Sequence, residues 1–434
     1  MKNSHVVVVG GGVVGVTLGC VLSRFLNVTV YDRDDQRIQR WLLCSPPFYE
    51  PGLAELVDGS SVAFTSSANC LDSADIVILC INYSVESDLR DTLHLISSEC
   101  TTKSHRIIVD KSTLPLNTSQ RIKHFFNNHH SHFDILSIPE FLSQGTAIRD
   151  CLSPSRVLIG CDTSESGIAA QNTLIDVYAQ WVPRSKILTQ NIWSTELSKL
   201  ASNALLAQRI SSINSFTAIC DATNANIGQL TQSLATDTRI GSDYLHPSVG
   251  FGGSCFEKDL KMLIYLCESL DLVLVAEYWK GVLAMNDYQL QRFVRRVQDT
   301  INGVEHPHVA VLGLSFKKDT GDVRLSPSVR IIKDLLAQHN TVRFTVCDPA
   351  VTEMQTMNEF DGCKRVHYCH GIAEAVNQSH CLLLLTNWPE YHTQIDWTAV
   401  YDSMHEPRWV LDGHSIVDVE KLISLGFNVY QVGH

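Results

Sequence analysis

Val6-Val7-Val8-Val9 is a β-branched run with no polar side chain, the pattern of a strand buried on both faces. Gly10-Gly11-Gly12-Val13-Val14-Gly15 follows at once and matches G-x-G-x-x-G, and a helical pattern then runs to about Phe25. Val28 to Tyr31 reads as the next strand and ends at Asp32. This order restricts the fold severely. The glycines permit a tight turn and let a pyrophosphate approach a helix N-terminus, so a parallel dinucleotide-binding sheet is expected. A carboxylate at Asp32 can accept from both ribose hydroxyls, which favours NAD over NADP. Arg33 and Arg37 weaken that preference, since a cation suits a 2′-phosphate.

Strands then alternate with helices. Asp75 to Ile81, Arg106 to Asp110 and Asp134 to Ile138 read as strands, the alternation of a doubly wound sheet. Ligands bind beyond the carboxyl ends of such strands. Asn82-Tyr83-Ser84, Lys111 to Pro115 and Pro139 to Leu142 fall there, although each serves equally as a plain turn. From Trp193 to Thr223 the chain has neither proline nor glycine, and Leu197, Leu200, Ala204 and Ala207 form one apolar stripe of a long helix. Lys199 and Asn203 stand one turn apart on another face, which by itself reads as a solvated surface. His308 to Leu312, Arg343 to Cys347, Cys381 to Leu385, Trp409 to Leu411 and Asn428 to Val432 read as a second parallel sheet, with a helix beginning near Pro327. The charged loop Phe316 to Arg324 suits a phosphate-bearing ligand, or is simply solvated. The expected architecture is α/β: two doubly wound Rossmann-like domains (1–190 and 303–434) joined by a central helical domain (191–302) with one long helix.

Within the central region lies Gly250-Phe251-Gly252-Gly253-Ser254-Cys255-Phe256-Glu257-Lys258-Asp259. Glycines let a backbone come close to a ligand, and the run from Phe256 to Leu270 has helical spacing. Cys255 is therefore expected at a helix N-terminus, where the dipole and free N–H groups favour a thiolate, with Asp259 on the same face. A nucleophilic sulfur beside a carboxylate is a candidate catalytic pair. A glycine turn ahead of a core helix with a buried cysteine is the competing reading.

The composition excludes several classes. A net charge of -12 argues against nucleic acid or an anionic membrane as the main partner. Fourteen scattered cysteines without a C-x-x-C pair suggest reduced thiols in a cytoplasmic setting. Val6 to Leu22 resembles a signal peptide in its apolarity, but its five glycines and strand-turn-helix pattern argue otherwise. Two metal-like clusters, Cys363/His367/Cys369/His370 and His124/His129/His130/His132, lack the spacing of a zinc site, and no metal is expected.

Several stretches together resemble the UDP-glucose/GDP-mannose dehydrogenases, most closely the eukaryotic-type members that oxidise UDP-glucose. They are Tyr49 to Leu53, Lys111-Ser112-Thr113, Pro139 to Leu142, Gly145-Thr146-Ala147, Glu196 to Ala201, Ala207 to Asn214, Gly250 to Asp259 and Phe316 to Arg324. The resemblance runs from Val6 to about Gly433. It implies two successive NAD-linked oxidations of a sugar nucleotide's primary alcohol to a carboxylate. By the same matching, Asp259 and Lys199 manage the alcohol proton, and Cys255 carries a thiohemiacetal and then a thioester. Lys199 and Asn203 stabilise the oxyanion, while Glu140 and Thr113 serve the water that releases the acid. NAD is assigned to Gly10, Gly12, Val13, Val14, Gly15, Asp32, Arg37, Lys111, Ser112, Gln144 and Arg324. The sugar nucleotide, UDP-glucose, is assigned to Phe141, Leu142, Tyr244, Leu245, Phe251, Gly252, Phe316 and Lys317. Arg239 matches the arginine that reaches a neighbouring subunit, so self-association as a dimer or hexamer of dimers is implied.

Departures from the family pattern fall at Tyr83 and Ser84, Ile138, Gln144, His246, and His414-Ser415. They touch the rims and spare the chemical groups. GDP-mannose or a UDP-N-acetylhexosamine as substrate, and a catalytically weakened regulatory homologue, are the competing implications.

Overall fold

The computed structural model describes residues 4–81, 86–103, 105–112, 116–127 and 132–434. Thr113, Asn82, Tyr83, Ser84, His129 and His130 lie outside the described residues. The chain forms two compact units, Met1–Leu200 and Ala201–His434.

The first unit carries an eight-stranded sheet: β1 (His5–Val9), β2 (Asn27–Tyr31), β3 (Ala63–Thr65), β4 (Ile76–Leu79), β5 (His105–Asp110), β6 (His132–Ser137), β7 (Val157–Cys161) and β8 (Ile187–Asn191). Its order is β3-β2-β1-β4-β5-β6-β7-β8, and the order reverses beside β1, as in a doubly wound fold. The valine run of β1 is buried on both faces, as expected. Val6 and Val8 enter one core layer and Val7 and Val9 the other. Helix α1 (Val13–Leu22) lies close over β1, because a Cβ on Gly15 would stand 2.0 Å from the Gly10 carbonyl oxygen. Helix α2 (Asp35–Leu42) follows β2 and is capped by the Asp34 side chain. Three strands of this sheet, β3, β7 and β8, are additions to the sequence reading. β3 has only three residues, and β8 (Ile-Leu-Thr-Gln-Asn) lies half-exposed at the sheet edge. β7 pairs antiparallel with β6 and parallel with β8.

The second unit repeats the winding with β9 (His308–Leu312), β10 (Arg343–Cys347), β11 (Val366–Tyr368), β12 (Cys381–Leu384), β13 (Trp409–Asp412) and β14 (Asn428–Gln431). The order is β11-β10-β9-β12-β13-β14, parallel throughout.

Helix α3 (Ile192–Asp221) is the proline-free helix expected from the sequence, and the division between the units falls within it. Helix α4 (Phe256–Ser269) follows, and then α5 (Val273–Ile301), a second long helix of 29 residues. The expectation of one long helix is thereby extended to two. Gly281, a poor helix former, lies within α5, and the first half of the helix exposes Val273, Leu274 and Val275, which blurs its helical pattern in the sequence. Helix α6 (Pro327–Gln338) begins at the expected proline, capped by Ser326. Among the described residues no helix is long and apolar enough to cross a membrane.

In the second unit, polar side chains from α3 and α5 hold the strap that leads to Cys255. Asn214 Oδ1 accepts from the Ser248 N–H at 2.9 Å, and Gln289 donates to the Ser248 carbonyl at 2.7 Å. Asn286 accepts from the Phe251 N–H at 2.8 Å and donates to the Phe251 carbonyl at 3.1 Å. Both Asn286 and Phe251 are buried, so neither backbone group has water as an alternative. Asn286→Leu should destabilise this unit by about 2–4 kcal/mol, since two buried backbone groups lose their partner. A lowered urea midpoint for the full chain is the expected result.

Candidate active site

The sequence-derived site residues divide between the two units. In the first, the Asp32 carboxylate ends β2 and is almost wholly buried. It accepts from the Gly11 N–H at 2.7 Å, the Asp34 N–H at 2.9 Å and Arg37 Nη1 at 2.8 Å. Arg37 thus screens Asp32 at the mouth of the glycine turn. The Trp41 indole N–H donates to the Gly11 carbonyl at 3.0 Å and fixes the same turn from behind. Gly12, Val13 and Val14 remain partly exposed at the N-terminus of α1, and a Cβ on Gly12 would meet nothing within 4 Å.

Beyond β5, Ser112 accepts from the Ile81 N–H at 3.1 Å and donates to the Leu79 carbonyl at 3.0 Å, tying the ends of β4 and β5 together. Lys111 is buried, with Nζ 2.8 Å from Glu140 Oε2. Burial alone would lower its pKa, but the Glu140 carboxylate and other nearby groups raise it above the usual lysine value, so Lys111 is a cation. The other Glu140 oxygen accepts from the Phe141 and Leu142 N–H groups at 2.6 and 2.7 Å. The partnership of Lys111 with Glu140 was not readable from the sequence, where Lys111 falls among the cofactor residues. The Phe141 ring lies under the Arg156 guanidinium at 4.2 Å and the Lys199 ammonium at 5.5 Å. Leu142 packs on the core, and Gln144 is half-buried. Glu50, unassigned by the sequence reading, is buried and accepts from the Gly145 and Ala147 N–H groups at 2.8 Å each. It joins two of the motifs that carried the resemblance.

Asp110, at the end of β5, is pushed up to about 8 by burial and then by the charge of Glu196. Glu196 accepts from the Asn117 and Ser119 N–H groups at 2.6 and 3.0 Å. A carboxyl raised from an unfolded value of about 3.9 favours folding fully below pH 4, and loses that contribution as pH rises through about 8. Between pH 6 and 9 the thermal midpoint of the native chain should therefore fall more steeply than that of Asp110→Asn. Parallel curves would overturn the assignment.

In the second unit, Cys255 is exposed at the N-cap of α4, so the competing reading of a buried core cysteine does not hold. Asp259, one turn on, is fully buried and accepts from Asn203 Nδ2 at 2.6 Å. Gly253 adopts φ +81°, and a Cβ there would meet the Phe316 ring at 2.8–3.0 Å. A Cβ on Gly252 would stand 2.4 Å from the Leu325 carbonyl oxygen. The glycines before Cys255 are thus required because the loop Phe316 to Leu325 lies directly on them. Gly253 N–H donates to the Arg324 carbonyl at 3.1 Å. Arg324 itself is clamped by Asp322, with Nε 2.9 and 3.0 Å from the two carboxylate oxygens. Hydrogen bonding to Asp322 raises its pKa against the effect of burial, and Cys255 lies near enough to add to the rise.

Phe251 meets Phe256 edge-on at 5.8 Å, and Tyr244, at φ +61°, lies 6.4 Å from the same ring. Leu245 is buried, and Lys317 Nζ stands 5.7 Å from the Phe316 ring. Arg239 is highly exposed and pairs with Asp237 at 2.6 Å. Of the departing positions, Ile138 is core, His246 is exposed, and His414 is half-buried with Nε2 2.9 Å from the Leu385 carbonyl oxygen. Ser415 donates to the Val432 carbonyl at 3.2 Å.

Three family descriptions match successive parts of the chain. Residues 4–182 match the NAD binding domain of the UDP-glucose/GDP-mannose dehydrogenase family, 193–288 its central domain and 310–419 its UDP binding domain. UDP-glucose 6-dehydrogenase 1 of Glycine max is 41% identical over 98% of this chain and 96% of its own length. The chain belongs to the UDP-glucose/GDP-mannose dehydrogenase family. UDP-glucose 6-dehydrogenase 3 of Arabidopsis thaliana is 40% identical over the same shares. A solved UDP-glucose dehydrogenase from Pyrobaculum islandicum superposes with a TM-score of 0.86 at 27% identity, covering 99% of this chain and 98% of that one. Within the family's three segments, the first carries Asp32, Lys111 and Glu140. The second carries Lys199, Asn203, Cys255 and Asp259, and the third carries the loop Phe316 to Arg324.

Proposed function

We propose that this family member is an NAD-dependent UDP-glucose 6-dehydrogenase: one UDP-glucose, two NAD and one water give one UDP-glucuronate and two NADH, with release of protons. The observation that carries the reading is the exposed Cys255 at the start of α4, with the buried Asn203–Asp259 pair one turn along. Near-full-length identity of about 40% to UDP-glucose 6-dehydrogenases supports the substrate.

The glycine turn fits a dinucleotide, since Gly12 borders open space and Asp32 is fixed at the end of β2. NAD, when bound there, supplies the acceptor for a hydride in each oxidation. Gly10, Gly12, Val13, Val14, Gly15 and Asp32 would hold it, with Arg37 shaping the acidic side.

Asp259, through a water, and Lys199 receive the alcohol proton in the first oxidation. The Cys255 sulfur then adds to the aldehyde carbon and forms a C–S bond, giving a thiohemiacetal. Lys199 and Asn203 donate to the oxygen that gains charge. The second oxidation leaves a thioester on Cys255. Water attacks its carbonyl carbon, the C–S bond breaks, and the acid departs as the sulfur regains its charge. Glu140, fixed by Lys111 and two backbone N–H groups, orients that water together with Thr113.

Phe251, Gly252, Phe316 and Lys317, with Tyr244 and Leu245, are assigned to the sugar nucleotide, and Phe141 and Leu142 to its sugar end. The division into 1–190, 191–302 and 303–434 is supported by the family matches at 4–182, 193–288 and 310–419. Self-association is proposed on the exposure of Arg239, and a cytoplasmic setting on fourteen unbridged cysteines.

With limiting UDP-glucose and excess NAD, two NADH should form per sugar nucleotide, and none with GDP-mannose. Oxidation of another sugar nucleotide alone would move the substrate. NAD binding without turnover on any of them would make the chain a binding subunit. Cys255→Ser should abolish acid formation and leave NAD affinity within about twofold, as measured by fluorescence titration. Unchanged turnover would sink the thioester route.

A further inference from the structure

At the amino ends of β5 and β6, opposite the ends that carry Lys111 and Glu140, three metal-ligating side chains converge. His105 and His132 are register partners on these parallel strands, and Asp134 follows His132 by two residues. All three therefore point to one face of the sheet. Asp134 is buried, with one oxygen 2.6 Å from His105 Nε2 and the other 3.6 Å from His132 Nε2. The two imidazoles stack with centroids 5.3 Å apart and planes 24° from parallel, and both are about half-exposed or more. Their potential ligand atoms all lie within 4.8 Å of one another, the one such group of three among the described residues.

We propose that His105, His132 and Asp134 form a binding site for a divalent first-row transition ion of the zinc class. Two imidazoles and one carboxylate match the ligand preferences of such ions and leave a position for water. Ligand atoms bound at about 2.0–2.2 Å stand roughly 3–3.7 Å apart, so the His132–Asp134 separation already fits and the others need only side-chain rotation. The buried carboxylate supplies a fixed anionic anchor, and the exposed imidazoles leave an open path for the ion. Spacing along the sequence concealed the group: His132 belongs to a histidine-rich run that has no zinc pattern, and its partner His105 lies 27 residues earlier (132 less 105). An ion here would clamp β5 to β6, the strands whose other ends lead into Lys111 and Glu140.

The test is calorimetric titration of the chelator-stripped full chain with Zn2+ at pH 7.5, beside His105→Ala, His132→Ala and Cys255→Ser. We expect one ion per chain with the same affinity in Cys255→Ser, and at least about tenfold weaker binding in each histidine variant. Zn2+ should raise the thermal midpoint of the native chain and not that of His132→Ala, because only a folded-state ligand stabilises by mass action. Affinity unchanged in both histidine variants, loss of the site in Cys255→Ser, or failure of the native chain to bind Zn2+ would each overturn the proposal. Because the histidines are exposed, their removal leaves the core intact, and circular dichroism of the variants checks this.

Discussion

Parallel sheets leave backbone N–H groups without partners where the chain turns away from each strand's carboxyl end, and buried or largely buried carboxylates take them up here. Asp32 accepts from Gly11, Glu140 from Phe141 and Leu142, and Glu50 from Gly145 and Ala147. In the second unit Asp348 accepts from Leu314 and Ser315, and Asp412 from His414, Ile416 and Val417. A buried anion satisfied by several N–H groups is stable, and it fixes a loop more stiffly than neutral side chains would. Among the loops so fixed are the glycine turn and Phe141–Leu142, whereas the strap to Cys255 is held by the neutral side chains of Asn214, Asn286 and Gln289.

The same device separates the two sheets functionally. Asp32 and Asp348 close corresponding strands, β2 and β10, in sheets of the same winding. Asp348, however, is surrounded by its own chain: Leu314, Ser315, Ala350 and Val351 supply N–H groups, and Ser315 adds its hydroxyl at 2.9 Å. A side chain so fully engaged has little left for a ribose. The second sheet, whose first strands wind in the same order, also lacks the glycine fingerprint.

Much of this was legible in the sequence because it is local. Val6 to Val9, the glycine turn and the proline-free helix each declare themselves within about thirty residues. Cys255 and Asp259 were nameable for the same reason, whereas Asn203 read locally as a solvated face and was named only through the family resemblance; the fold brings it onto Asp259. What escaped was pairing at a distance. Lys111 and Glu140, Glu50 and Ala147, and Asn286 and Phe251 are separated by 29 residues or more, and the identity of one member says nothing of the other. Short edge strands escaped for another reason: three residues of β3, or the polar β8, do not carry enough periodicity to stand out.

The hold of Glu50 on Gly145 and Ala147 spans 95 and 97 residues of chain. Such a closure gains nothing until β1 to β6 lie side by side, since loop entropy must be met before a non-local contact repays it. It is therefore expected to form late in assembly, after the barrier that limits folding. Interactions of that kind govern how slowly a native protein comes apart rather than how quickly it forms. Glu50 is in this sense a latch on lifetime, set between two loops at the mouth of the first sheet.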